Sequence, residues 1–211
     1  MASTKRASAR RRSSIPRASR RSGRSSRVTE PSSTPPVARL PSVRVWDPVV
    51  RLLHWGLALA VAVAWFSGEE TLARHEWAGH GAMLAVVLRT IWGFVGTPHA
   101  RFADFVRAPR VVRAYAVAIR RHVEARHLGH NPLGGWMIVA LMATVMATGL
   151  TGWMYTLDAF WGLAWLEWTH RALAWGLVGM VLMHVAGVVF SSLRHRENLL
   201  LAMLTGRKRG E

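Results

Sequence analysis

The stretch LEWTHRALAWGLVGMVLMHVAGVVFSS, Leu166 to Ser192, decides how the rest of the chain is read. Apart from Glu167 and Arg171 it carries no acidic or basic residue. It exceeds the roughly 20 apolar residues that a helix needs to cross hydrocarbon. Two histidines interrupt it, His170 and His184, fourteen positions apart. At 3.6 residues per turn that spacing returns to within about 40° of the same face, with about 21 Å between the two along the axis. An ionisable side chain inside a membrane is costly and needs a partner or a function. One helix presenting two imidazoles in one direction, one toward each side of the bilayer, therefore asks for partners at both depths.

Three further apolar segments precede it. Asp47-Pro48 places an N-cap before a proline suited to the first helical turn and opens a helix running to about Phe66. The next runs from about His75 to Gly96 and is stopped by Thr97-Pro98. Asn131-Pro132 repeats the cap-and-proline start for a third, which ends near Tyr155. The pattern predicts an all-α membrane protein, a bundle of four transmembrane helices, since helices satisfy their own backbone in lipid. Between the second and third spans, Val111, Val112, Tyr115, Ile119 and Val123 share one helical face with arginines opposite. Pro109 to Arg126 is expected to be an amphipathic helix at the cytoplasmic membrane surface.

The composition agrees. Hydrophobic residues make up 51% of the 211, yet the formal charge is +17. Such a combination fits a chain whose apolar and basic residues occupy separate stretches. Residues 1–44 are rich in Arg, Ser and Pro without apolar periodicity and are expected to be a disordered basic tail. The membrane domain is expected to span 45–206, followed by a basic tail at 207–211. The N-terminal basic region is too long for a cleaved signal peptide, and no nucleic-acid partner is expected. No cysteine is present, which excludes disulfides, thiolate-held iron–sulfur clusters and haem attached through C-x-x-C-H. No nucleotide-binding glycine loop, nucleophile elbow or metal-hydrolase motif occurs.

Orientation follows from the arginines. They crowd the N-terminal region, the connection from Thr97 to Asn131 and the Arg207-Lys208-Arg209 ending. The other two connections hold Glu69 and Glu70, or, from Thr156 to Trp165, no basic residue. The positive-inside rule puts both termini in the cytoplasm.

The remaining histidines supply the partners. His54 lies about two turns in from the cytoplasmic start of the first span and meets the level of His184. For His170 the second span offers His75 or His80. His170 precedes Arg194 by 24 residues and His75 precedes Pro98 by 23, so their depths match. His80 would lie deeper and about 140° around the helix. His75 is the expected partner and His80 the alternative. Two bis-histidine sites stacked across a bilayer suit haem iron, which takes one axial ligand on each face. Zinc suits them poorly, since it wants about four ligands. Gly56, Gly79, Gly149, Gly152, Gly176, Gly179 and Gly187 admit either a flat macrocycle or close helix packing. Arg89 is fourteen residues after His75, on nearly the same face. It is expected to pair with a haem propionate, with Arg51 and Arg171 as further candidates.

At these residues the chain resembles the bacterial cytochrome b561 family, which includes the cytochrome b subunits of nickel–iron hydrogenases. The matching pieces are Val45-Trp46-Asp47-Pro48, Arg51-Leu52-Leu53-His54-Trp55, His75 with Gly79, and Leu88-Arg89-Thr90-Ile91-Trp92-Gly93-Phe94. They continue with Gly129-His130-Asn131-Pro132-Leu133-Gly134, His170 with His184, His195-Arg196-Glu197-Asn198-Leu199, and the Gly206-Arg207-Lys208-Arg209 ending. The resemblance implies two noncovalent haems b, with axial ligands falling on His54, His75, His170 and His184. It also implies electron exchange with membrane quinone or quinol near the cytoplasmic haem. On the outer side it implies a redox partner protein, a c-type cytochrome or hydrogenase-like subunit. Quinone chemistry needs proton carriers, for which Asp47, His130 and His195 are candidates on the cytoplasmic side. The chain is thus expected to be an electron-transfer subunit of a respiratory oxidoreductase. The alternatives are a stand-alone quinol-oxidising membrane enzyme that reduces superoxide or a metal, and a haem-free anchor or transporter.

Overall fold

The computed structural model describes residues 42–68 and 71–210. The basic tail before residue 42 and the Glu69-Glu70 pair, on which the disorder and topology expectations draw, lie outside them. Among the described residues, four helices are long and apolar enough to cross a membrane. They are α1 (Pro48–Ser67), α2 (Leu72–Val95), α5 (Pro132–Tyr155) and α6 (Ala164–Arg194). Short elements fill the connection between α2 and α5: a 3₁₀ turn (Pro98–Ala100), α3 (Phe102–Phe105) and α4 (Pro109–Arg120). A second 3₁₀ turn (Asp158–Phe160) joins α5 to α6, and α7 (Leu199–Thr205) follows α6.

The two cap-and-proline starts form as the sequence dictates. Asp47 Oδ1 accepts the Val50 amide at 2.9 Å, and Asn131 Oδ1 accepts the Gly134 amide at 2.7 Å. Each satisfies one of the donors that a helix leaves open at its N-terminus. Asn198 caps α7 in the same way, through the Leu201 amide at 2.8 Å. The α2 and α6 helices begin at Thr71 and Leu163 with no side-chain cap. Both start a few residues earlier than apolar periodicity alone places them.

α1 lies along α2, α2 against α5, and α5 against α6. α1 and α6 do not pack along each other in the same way, although Trp65 and Trp175 meet edge-on with ring centroids 4.9 Å apart. The central layer of the bundle is apolar: Ala82 and Val86 from α2, Met142 and Val145 from α5, and Leu177 from α6. A second cluster closes one end, where Val45, Trp46 and Val50 pack with Ala100 and Ala202.

That end is tied together by polar contacts as well. Asp47 Oδ2 accepts Thr97 Oγ1 at 2.6 Å and Trp92 Nε1 at 3.2 Å, so one carboxylate caps α1 and holds the end of α2. Ser42–Arg44 forms a strand, β1, paired antiparallel with β2 (Arg207–Arg209). These two strands flank residues 45–206. Gly206 takes φ 79° as the C-cap of α7, and its carbonyl accepts the Val45 and Trp46 amides. That left-handed backbone is what a glycine adopts without a Cβ penalty.

α4 ends at Arg120, six residues short of the expected Arg126. His122 turns left-handed, φ 58°, and the Val123 amide reaches back to the Ala118 carbonyl, which closes the helix without a glycine. Tyr115 is buried and Val112 and Ile119 are half-buried, while Arg110, Arg113 and Arg120 are exposed. Val111 is exposed and Val123 lies beyond the helix, so the apolar face is narrower than expected.

Candidate functional site

His75 and His170 meet between α2 and α6, ring centroids 6.0 Å apart and ring planes at 78°. Each ring is held from behind. His75 Nδ1 lies 2.8 Å from the Ala64 carbonyl, and His170 Nδ1 lies 3.0 Å from the Thr148 carbonyl with Thr151 Oγ1 at 3.2 Å. A ring nitrogen beside a carbonyl must donate, which leaves the lone pair on Nε2 of both imidazoles. This is the arrangement that orients metal-ligating histidines. A Cβ on Gly152 would sit 2.9 Å from His170 Cε1, so this glycine makes room for the ring. His80 is not brought to this place. It is exposed, and its Nδ1 is 2.8 Å from the Glu76 carbonyl one turn back on its own helix.

His54 of α1 and His184 of α6, the other expected pair, lie near enough for a charge on one to act on the other. Here the support differs. His54 Nδ1 is buried with no hydrogen-bond partner, and so are Arg51 Nε, Arg89 Nη1 and His130 Nδ1. Arg89 is buried, donates through Nη2 to the Ala100 carbonyl at 3.0 Å, and lies over the Phe102 and Phe105 rings. Arg51 Nη2 donates to the Leu204 carbonyl. His130 sits between Trp46 and Phe105, ring centroids 4.5 and 4.9 Å away. Burial pushes its imidazole down to about 3, helped by the positive charges of Arg89 and Lys208.

Leu177 lies seven residues from each of the α6 histidines, on the same face. Ala82 holds the same position between His75 and Arg89 on α2. Both belong to the buried central layer, so an apolar septum separates the two histidine pairs. Spacing by seven was the sequence signal for these residues; the flanking Trp46 and Phe105 and the carbonyls of Ala64 and Thr148 had none.

The other sequence candidates are engaged elsewhere. Arg171 forms an exposed ion pair with Glu167 at 3.0 Å, one turn back. Burial opposes ionisation of Asp47, but the Thr97, Val50 and Trp92 bonds outweigh it and hold its carboxyl below the ordinary range. Both Asp47 oxygens are committed to structural hydrogen bonds, which make it a clamp between α1 and the end of α2. His195 caps the C-terminus of α6, its carbonyl accepting from Arg209. Glu197, which carried no expectation, is buried between Arg126 at 2.9 Å and Lys208 at 3.8 Å.

The residues fit haem by three observations. His75 and His170 stand ring to ring between α2 and α6, and His54 and His184 lie within reach of each other's charge. Helical glycines near them, Gly79 one turn from His75 and Gly187 one turn from His184, open onto space that a Cβ would not fill against protein. The buried unpartnered nitrogens at the second pair call for an acceptor, which a propionate carboxylate supplies. Gly149 belongs instead to helix packing, against the Met83 side chain.

Fold and site together define a multi-pass helical bundle with imidazoles paired between its helices. The family of prokaryotic cytochrome b561 matches residues 45–206, and this chain belongs to that family. It is 24% identical to the probable Ni/Fe-hydrogenase B-type cytochrome subunit of Bradyrhizobium diazoefficiens, over 80% of this chain and 86% of that protein. No solved structure matches it. The protein is thus a membrane b-type cytochrome of electron transfer.

Proposed function

We propose that this chain binds two haems b, one between His54 and His184 and one between His75 and His170. It would carry electrons across the inner membrane between the quinone pool and a redox partner protein. The single observation behind this reading is the pair of histidine clusters at opposite ends of one bundle, divided by the Leu177 and Ala82 septum. Haem, held by these histidines, would supply one-electron exchange.

The protein's own residues do the rest. The Ala64 and Thr148 carbonyls fix the tautomer and ring plane of His75 and His170. Arg89 and Arg51 hold donors toward propionates at the His54 end. The apolar layer of Ala82, Val86, Met142, Val145 and Leu177 would keep water from between the two sites. His195 and His130 are the candidate proton carriers on the quinone side, with burial holding His130 neutral. The arginine distribution puts that end, and both termini, in the cytoplasm. The relative's name suggests a hydrogenase-like subunit as partner, with a c-type cytochrome as the other candidate.

The test is a reduced-minus-oxidised visible spectrum of the detergent-purified protein with a pyridine haemochrome count. Two b-haems per chain are expected, one lost in His75→Ala and both kept in His80→Ala. A colourless protein, or loss in the His80 variant instead, would overturn the ligand set.

A further inference from the structure

At the junction of α6 and α7 two grooves meet, of about 410 and 290 Å³, sharing Arg196, Glu197 and Asn198 in their walls. They differ in chemistry. The larger runs along Val189, Leu193 and Leu200, which are 51%, 76% and 57% exposed although apolar. The smaller is bordered by Arg196, Arg207 and Arg209. Glu197 is the one acid in either wall, and it is already neutralised by Arg126 and Lys208. Arg209 is partly used, donating to the His195 and Arg196 carbonyls. The guanidinium groups of Arg196 and Arg207 have no acceptor among the described residues, in a region that also exposes Leu201 and Leu204 of α7.

We infer that this junction binds an anionic phospholipid, its acyl chain along the Val189–Leu193–Leu200 groove and its phosphate between Arg196 and Arg207. Charge selects the occupant. An apolar groove alone accepts any lipid, but two unpaired guanidiniums at its mouth favour a net negative headgroup over a zwitterionic one. Guanidinium also binds phosphate oxygens in bidentate fashion, which a single lysine does not. The site anchors α7 and the β1–β2 pair to the membrane surface. It depends on the chain spanning a membrane but not on the haem ligands or the quinone.

Native mass spectrometry of the intact detergent-solubilised holoprotein tests it, with phosphatidylglycerol, phosphatidylcholine and soluble glycerol phosphate as separate probes. Phosphatidylglycerol should be retained over phosphatidylcholine by about tenfold or more, two arginines each contributing to the preference. Glycerol phosphate should not compete. Arg196→Gln combined with Arg207→Gln should abolish the preference while the visible spectrum stays intact, and Arg171→Gln should leave it unchanged. Equal retention of the two lipids, or a preference that survives in the double variant, overturns the proposal. Competition by glycerol phosphate would make this a free-phosphate site and overturn the lipid assignment. Should the double variant misfold, the salt dependence of the wild-type preference decides, since an electrostatic preference must fall as salt rises.

Discussion

The two histidine pairs are built differently, although α2 and α6 carry residues of both ends at the same spacing of fourteen. At the His75–His170 pair every Nδ1 has a backbone acceptor, and the rings already face each other at 6.0 Å. At the His54–His184 end the surroundings hold buried nitrogens without partners: the guanidinium donors Arg51 Nε and Arg89 Nη1, and the imidazole Nδ1 of His54 and His130. An unsatisfied buried polar group costs on the order of 1–3 kcal/mol. The first site is therefore preorganised by protein alone, whereas the second is completed by what it binds. The difference assigns separate tasks: one end holds its ligands rigidly, the other holds charge.

Removing a ligand at each end tests this most severely. His170→Ala should lose one haem and leave the other with an unchanged spectrum, and His54→Ala should do the reverse. A haemochrome count for each variant checks it. The apolar septum between the pairs gives the reason for independence, and loss of both haems from either variant would break the comparison. The next largest effect is expected at Arg89→Leu. Propionate support at that end should fall, weakening haem retention by about tenfold or more, the size typical of lost outer-shell partners. Redox titration should show the change in one wave only. An unchanged titration would mean that Arg89 serves only the Ala100 carbonyl and the Phe102 and Phe105 rings.

How far such differences were legible in the sequence depends on where the information resides. Asp47-Pro48 and Asn131-Pro132 mark helix starts to the residue, because the cap is a side chain and its partner lies three positions on. The starts of α2 and α6 carry no capping side chain and are set by packing, so apolar periodicity places them late. α4 stops at a left-handed histidine that no glycine announces. The same division runs through the site. A spacing of fourteen suffices to put His170 and His184 on one face, and matched depth separates His75 from His80, which the fold leaves exposed and bonded to its own helix. The carbonyls behind the rings are backbone atoms with no residue signature. The setting of His130 joins Trp46, Phe105 and Arg89, three distant parts of the chain, and only tertiary structure brings these together. Asp47 was legible as a cap but not as the acceptor of Trp92 and Thr97.

Acid sharpens the comparison by the smallest effect. His130 is pushed down to about 3 by burial and by Arg89 and Lys208, against about 6.5 in an unfolded chain. The unfolded state therefore binds the extra proton first. The contribution of neutral His130 is fully present above about pH 6.5 and is lost progressively as pH falls toward about 3, at no more than about 1.4 kcal/mol per pH unit. Thermal unfolding of the detergent-purified protein, followed between pH 7 and 4, should show a falling midpoint. His130→Gln should flatten that fall while leaving the midpoint at pH 7 nearly unchanged. The spectrum of the His54–His184 end should be disturbed before that of the other, because His130 borders Arg89 and not the Thr148 carbonyl. An identical acid profile in wild type and variant would mean that a propionate beside Arg89 already cancels the positive field on His130. The donors at this end would then be satisfied as fully as those at the other, and the contrast between the two sites would belong to the protein without its haem.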